Sequence, residues 1–269
     1  MTRLVVIPAR YGSTRFPAKP LAPIAGRTLL ERVVDLARRA IRTVPDTRIV
    51  VATDHQAILD HAETLGIEAV MTQPAIASGT GRALAAARAI APLPGIVLNL
   101  QGDAPFVPPE AISAVLQALE QPGVDVATPV IQLDWAALDA LRDHKRDSPF
   151  SGTTCIRAPD GRALWFSKAV LPQIRDEAAL RSAAVLSPVY RHLGLYGFAY
   201  PALEAFEREP VSRYEKLEGL EQLRLLEAGM TIQAVVISQQ RIPISGIDTP
   251  ADADKAERLI AELGDPFGS

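Results

Sequence analysis

The residues with the greatest capacity for chemistry come early in the chain. Ile7-Pro8-Ala9-Arg10-Tyr11-Gly12-Ser13-Thr14-Arg15-Phe16-Pro17-Ala18-Lys19-Pro20-Leu21 follows the apolar run Leu4-Val5-Val6-Ile7 and carries three cations, Arg10, Arg15 and Lys19, beside a glycine and two hydroxyls. Free backbone N–H groups, hydroxyl donors and fixed positive charge at the carboxyl edge of a parallel strand are what a polyphosphate requires. A basic surface loop has a similar composition, but this many cations beside a Gly-Ser-Thr turn exceed what solvation needs.

Two carboxylates occupy comparable places. Asp103 follows an apolar run in Leu98-Asn99-Leu100-Gln101-Gly102-Asp103, and Asp248 lies in Ser245-Gly246-Ile247-Asp248-Thr249-Pro250. A carboxylate at the end of a central parallel strand faces the crevice where such sheets bind ligands. Beside a triphosphate its task is to hold Mg2+ through oxygen, although Gly-Asp-x-Pro is equally good turn chemistry for Asp103. Thr249 is placed to cap the last helix, with Pro250 in its first turn, which leaves Asp248 free. Ser78-Gly79-Thr80-Gly81-Arg82 opens a helix whose N–H groups, hydroxyls and guanidinium suit a base or a phosphate, and it also reads as a plain helix start. His192 and Tyr196 share one face of a regular strand, and Glu221 and Gln222 on an amphipathic helix can reach a polyol. Lone His and Tyr residues are more often satisfied structural groups, and Glu221 and Gln222 also read as exposed helix-face polarity.

The elements that position these groups follow from hydrophobic period. Strands are expected over 4–7, 48–52, 68–71, 95–100 and 124–130, alternating with helices over 28–42, through Ile58, Leu59, Ala62 and Leu65 (capped by Asp54 and stopped by Gly66), over 83–91 and over 109–120. Such alternation means a parallel sheet with helices on both faces. Beyond Pro129 the pattern changes. A hairpin is expected over 153–156 and 163–166 around Pro159-Asp160-Gly161, then a strand over 193–199, helix within 208–226, a strand over 232–237 and a helix over 250–263.

Composition narrows the class. The 269 residues are 48% hydrophobic and 22% charged, enough for a full core, and the net charge of −3 draws the molecule to neither nucleic acid nor an anionic membrane. The single cysteine, Cys155, excludes an internal disulfide and a cysteine metal site, and its apolar surroundings predict an inert buried thiol. No apolar run is long enough to span a bilayer, and no leader pattern precedes the first strand, so a soluble cytoplasmic protein is expected.

These segments, in this order, resemble the 3-deoxy-manno-octulosonate cytidylyltransferase (CMP-Kdo synthetase) family. The resemblance rests on the first loop, Val51-Ala52-Thr53-Asp54-His55, Met71-Thr72, Ser78-Gly79-Thr80 and Gln101-Gly102-Asp103. It continues through Ala163-Leu164-Trp165-Phe166-Ser167-Lys168, Arg191-His192-Leu193-Gly194, Leu220-Glu221-Gln222-Leu223-Arg224 and Asp248-Thr249-Pro250. It implies a Rossmann-like α/β nucleotide-diphospho-sugar transferase fold, mostly parallel and flanked by helices, with a small inserted antiparallel sub-domain. Residues 1–130 and 230–269 would form the nucleotide-binding core, and 131–229 a sugar-binding and dimerisation unit of a homodimer.

The implied reaction joins CTP to the anomeric hydroxyl of a 3-deoxy-ulosonic acid, releasing pyrophosphate, for lipopolysaccharide or other envelope polysaccharide. By matching position, Arg10, Lys19 and Asp103 act at the reacting phosphate. Ala9, Arg10, Ser13, Arg15, Lys19, Ser78, Gly79, Arg82 and Gln101 bind the nucleotide, and Asp103 and Asp248 bind Mg2+. The sugar acid meets Lys168 and Arg175 at its carboxylate, and Gln101, His192, Tyr196, Glu221 and Gln222 at its hydroxyls. The family pattern has Arg for Lys168, Lys for Thr154 and an acidic residue for Gly81. A different or amino-substituted acid is therefore an alternative acceptor, and an inactive nucleotide-binding protein a second alternative.

Overall fold

The computed structural model describes residues 2–12, 15–238 and 246–266. Strand β1 (Arg3–Ala9) is buried on both faces: Leu4 and Val6 point to one hydrophobic cluster and Val5 and Ile7 to the other, all at most 1% exposed. Two short strands, β2 (Pro23–Ile24) and β3 (Arg27–Thr28), form a small separate antiparallel hairpin. Thr28 then caps α1 (Leu29–Ala40), its hydroxyl accepting the Glu31 N–H, and the apolar stripe of Leu29, Leu30, Val33, Val34, Leu36 and Ala37 is buried.

The chain continues through β4 (Thr47–Thr53), α2 (Gln56–Thr64), β5 (Glu68–Met71), α3 (Gly79–Ala89), β6 (Ile96–Asn99) and α4 (Pro109–Ala118). Strands β5, β4, β1 and β6 lie side by side in that order, all parallel, so their carboxyl ends meet along one edge.

The second half comprises β7 (Val126–Asp134), α5 (Trp135–Asp147), β8 (Thr154–Arg157), β9 (Ala163–Ser167), α6 (Glu177–Ala183), β10 (Leu186–His192) and β11 (Tyr196–Ala199). After these come α7 (Tyr200–Arg208), α8 (Arg213–Glu218), α9 (Gln222–Glu227), β12 (Ile232–Val236) and α10 (Pro250–Leu263). Its antiparallel strands extend the same sheet in the order β6-β11-β7-β10-β8-β9, and β12 returns parallel to β7. Helices α1, α4 and α10 cover one face, and α3, α7 and α9 cover the other. Cys155 lies in the second cluster, 1% exposed, and burial pushes its thiol up to about 12, so it is the inert thiol expected.

Three expectations are corrected. The strand over 193–199 shortens to β11, because the Leu195 N–H turns back to the Leu193 carbonyl at 2.7 Å and breaks the extended run. His192 therefore ends β10 while Tyr196 begins β11, and the two do not share one strand. The helical region over 208–226 resolves into α8 and α9: α7 ends at Arg208 before Pro210, and Gly219, whose φ is +65°, stops α8.

Candidate active site

The parallel edge assembles the chemistry. The end of β6 passes so close under β1 that a Cβ on Gly102 would stand 2.2 Å from the Pro8 carbonyl oxygen, a space open to glycine alone. This approach delivers Asp103 beside the first loop. The Asp103 carbonyl accepts the Ile247 N–H at 2.8 Å, which stitches residues 246–248 to the end of β6 and brings Asp248 alongside. Thr249 caps α10 as expected, and Asp252 closes the capping box, its Oδ2 accepting the Asp248 and Thr249 N–H groups at 3.1 and 2.8 Å. Burial acts to raise the Asp252 pKa, but the bonds from Thr249 and Asp248 outweigh it and hold the carboxyl below its ordinary value.

The first loop answers with positive charge. Lys19 Nζ donates to Asp103 Oδ2 at 2.7 Å and reaches Asp248 Oδ1 at 3.4 Å, with only 14% of its side chain exposed. Arg15 Nη2 meets Asp248 Oδ1 at 3.0 Å from a more open position. Behind the loop, Asp54 Oδ1 accepts the Tyr11 N–H at 3.1 Å, and the Tyr11 ring stacks on His55 at 3.8 Å between centroids. Asp54 was expected to cap α2. Instead His55 Nδ1 takes the Ala57 N–H, and Asp54 turns inward to the Arg82 guanidinium, a stronger partner than a helix N–H.

Arg82 is wholly buried. Its guanidinium donates to Thr72 Oγ1, to Asp54 Oδ2 at 3.2 Å and to the Ile76 carbonyl at 3.1 Å, while Nε has no partner among the described residues. Burial pulls its pKa below the ordinary value, Asp54 opposes this, and the charge of Arg10 adds to the lowering. Ser78 caps α3, its Oγ accepting the Gly81 N–H at 2.9 Å, and the helix N-terminus opens onto the same space. Ala9, Arg10, Arg15, Lys19, Ser78, Gly79, Arg82, Gln101, Asp103 and Asp248 thus line one crevice; Ser13 lies outside the described residues.

A second polar group adjoins this crevice. Gln101 lies against Gly79, within 3.3 Å of where a Cβ would stand, and Asn99 packs beneath it. Asn99 Nδ2 donates to Thr80 Oγ1 at 3.4 Å, and Thr80 Oγ1 to Glu221 Oε2 at 3.3 Å. Asn99 Oδ1 and Gln222 Nε2 are buried with no partner among the described residues. His192 and Tyr196 come together from separate strands, their rings 5.3 Å apart. Thr128 gives its hydroxyl proton to the Leu195 carbonyl at 2.7 Å and so accepts from His192 Nε2 at 2.8 Å. The other ring nitrogen then carries a lone pair. Burial, with a contribution from the charge of Lys168, lowers His192 to about 3, so the ring is neutral. Burial, then the charge of Glu221, raises the Tyr196 hydroxyl well above its ordinary value.

Lys168 Nζ donates to Thr153 Oγ1 at 3.2 Å, and burial lowers its pKa against the pull of Glu218. Arg175 stands apart, exposed and with no hydrogen bond or ion pair among the described residues. Glu207 escaped the sequence reading: from α7 it fills the space a side chain at Gly81 would take, its Oε2 2.8 Å from that Cβ position. A contact so distant along the chain leaves no local signal.

Among the described residues no group of three or more His, Cys, Asp or Glu is arranged to hold a metal. Asp103 and Asp248 nevertheless converge on one cation, the Lys19 ammonium, with hard oxygens only. Such a pair fits an Mg2+ ion that takes its remaining ligands from phosphate and water, rather than one held in an all-protein cage.

Comparisons with known proteins bear on the family of the chain. A family model described as Cytidylyltransferase matches residues 4–232. A 3-deoxy-manno-octulosonate cytidylyltransferase of Maricaulis maris (strain MCS10) is 42% identical over 269 residues, covering 98% of this chain and 99% of the relative. Its counterpart in Anaeromyxobacter sp. (strain Fw109-5) is 40% identical over 257 residues, 96% of each. The solved structure of a CMP:2-keto-3-deoxy-manno-octonic acid synthetase complexed with CTP superposes with a TM-score of 0.81 at 29% identity, over 97% of this chain and 99% of that one. The 4-diphosphocytidyl-2C-methyl-D-erythritol synthase of Anaerococcus prevotii, at a TM-score of 0.57 and 15% identity, shares the fold alone. With full-length relatives at this identity and a family model matching most of its length, the chain belongs to the 3-deoxy-manno-octulosonate cytidylyltransferase family of nucleotidyltransferases.

Proposed function

We propose that the chain transfers the cytidylyl group of CTP to the anomeric hydroxyl of 3-deoxy-D-manno-octulosonate, giving the CMP-sugar and pyrophosphate, with Mg2+ as cofactor. The observation that carries this reading is one crevice in which the loop cations Arg10, Arg15 and Lys19 face the carboxylates Asp103 and Asp248. In the reaction the anomeric hydroxyl gives up its proton to water, its oxygen bonds to the α-phosphorus, and the bond from that phosphorus to the α,β-bridging oxygen breaks, so that oxygen leaves with the pyrophosphate. Arg10, Arg15 and Lys19 offset the charge that develops on the departing pyrophosphate, with Ser13 completing the loop. Mg2+ held by Asp103 and Asp248 would supply Lewis acidity at the α-phosphate and lower the pKa of the attacking hydroxyl.

The N-terminus of α3 at Ser78 and Gly79 serves the nucleoside end. Arg82, already committed to Asp54, backs the site and holds the loop through it. Lys168 receives the carboxylate of the sugar acid, and Arg175, free of partners among the described residues, swings to it. Gln101, neutral His192, Tyr196, Glu221 and Gln222 read the hydroxyls. Residues 131–229 serve sugar binding and dimerisation in a cytoplasmic homodimer that supplies lipopolysaccharide or other envelope polysaccharide; no described helix is long and apolar enough to cross a membrane. A different sugar acid is the second reading, favoured by Lys168, whose point charge lacks the planar fork of an arginine.

Steady-state kinetics of Asp103→Ala and Asp248→Ala test the metal assignment. Each substitution is expected to lower kcat by about 10²-fold or more, as when a charge-stabilising group at a reacting centre is removed. Turnover at the wild-type rate in either variant contradicts it.

A further inference from the structure

The turn after β9 is held far more tightly than its place at the surface requires. Lys145, in the last turn of α5, points its ammonium into a ring of backbone carbonyls: Ser151 at 2.5 Å, Lys168 at 2.6 Å, Gly152 at 3.0 Å and Pro149 at 3.4 Å. An ammonium has three protons, and these carbonyls absorb all of them, so Lys145 has nothing left for a ligand. From the opposite side, Glu218 of α8 accepts the Lys168 N–H at 2.7 Å through Oε2 and the Ser167 hydroxyl at 2.8 Å through Oε1. Ser167 Oγ accepts the Ala169 N–H at 2.9 Å, and Thr154 Oγ1 donates to the Ala169 carbonyl at 2.7 Å. Every backbone polar group of residues 168 and 169 therefore has its own partner, drawn from α5, α8, β8 and β9.

The side chain of Lys168 contrasts with its backbone. Its ammonium has one partner among the described residues, Thr153 Oγ1, which leaves two protons for a ligand. A lysine presents a point charge on a flexible stem, so its aim depends on where the stem is anchored. We infer that Lys145 and Glu218 are positioning residues that clamp the Lys168 backbone from both sides and so direct its ammonium at the carboxylate of the acceptor. This inference rests on the reading of Lys168 given under the proposed function. It assigns a part in acceptor recognition to α5 and to the 149–152 loop, which lie outside the nucleotide crevice.

The test is steady-state pyrophosphate release by the full chain, with CTP and 3-deoxy-manno-octulosonate varied separately, for wild type, Lys145→Met, Lys145→Arg and Lys168→Ala. Displacing a binding group by a fraction of an ångström is enough for Lys145→Met to raise the KM for the sugar acid about tenfold, while the KM for CTP stays within about twofold. Lys145→Arg, still able to donate to the carbonyls, should recover part of the loss. Should Lys145→Met fail to fold, Glu218→Gln, which keeps its shape but loses one acceptor oxygen, is expected to show the same split. Parallel rises in both KM values, or a lowered melting temperature with neither KM changed, overturn the clamp while leaving the role of Lys168 intact. An unchanged acid KM in Lys168→Ala overturns that role and the clamp with it.

Discussion

Lys19 is shared between Asp103 and Asp248, and each member of that trio was visible in the sequence because each follows an apolar run or opens a turn. Local composition reveals a cation or a carboxylate at a strand end; it does not reveal partners supplied from elsewhere. Asp54 looked like a helix cap because Arg82 is remote along the chain, and Lys145 carried no signal because the Lys168 carbonyl it binds is likewise remote. His192 gives a prediction at this scale. Its folded pKa, about 3, lies below the ordinary 6.5, so between these values the unfolded chain binds the extra proton. Stability then rises with pH across that window and is lost as pH falls below about 6.5, at up to about 1.4 kcal/mol per unit. Thermal melts from pH 7 to pH 5 should show a falling midpoint whose slope is reduced in His192→Gln. An imidazole resonance titrating near its ordinary value would refute the buried neutral ring.

Among the elements, those carrying a buried stripe were readable and those lacking one were not. Helix α1 buries most of its length, whereas α5 buries only Leu138 and α6 buries nothing, so neither left a hydrophobic period to find. Strand β10 was hidden by Pro188 and by the register break between Leu186 and Tyr190. The element with most bearing on the site is α10, which begins directly after Asp248. Its far end is fastened by Arg32, wholly buried on α1, which donates to Asp265 from both Nη atoms and to the carbonyls of Ile24 and Ala25. Glu257 of α10 adds a bond from the Ala25 N–H at 2.8 Å. Arg32→Met would leave the Ile24 carbonyl without its buried guanidinium donor and remove the Arg32 charge from Asp265. A loss of about 2–4 kcal/mol in denaturant unfolding is expected. A loss below about 0.5 kcal/mol, usual for a surface substitution, would show that the fastening is not structural.

For the whole molecule, the alternation of strand and helix through residue 120 was enough to expect a parallel sheet covered on both faces, and β5, β4, β1 and β6 are that sheet. The antiparallel extension was less legible, since beyond the β8–β9 hairpin its strands pair across large sequence separations. A net charge of −3 with a local cluster of cations concentrates positive potential at the crevice lined by Arg10, Arg15 and Lys19 rather than over the surface at large. Sheet, crevice and relatives converge on one account, and its central claim is a cytidylyl transfer that depends on a divalent cation. The most direct measurement is pyrophosphate release from each of CTP, UTP, ATP and GTP with Mg2+ and 3-deoxy-manno-octulosonate, repeated with EDTA. Release from CTP, weak or absent with the other three and abolished by the chelator, is the predicted result. Comparable release from several nucleotides, undiminished release under EDTA, or none from CTP with this acid would contradict it.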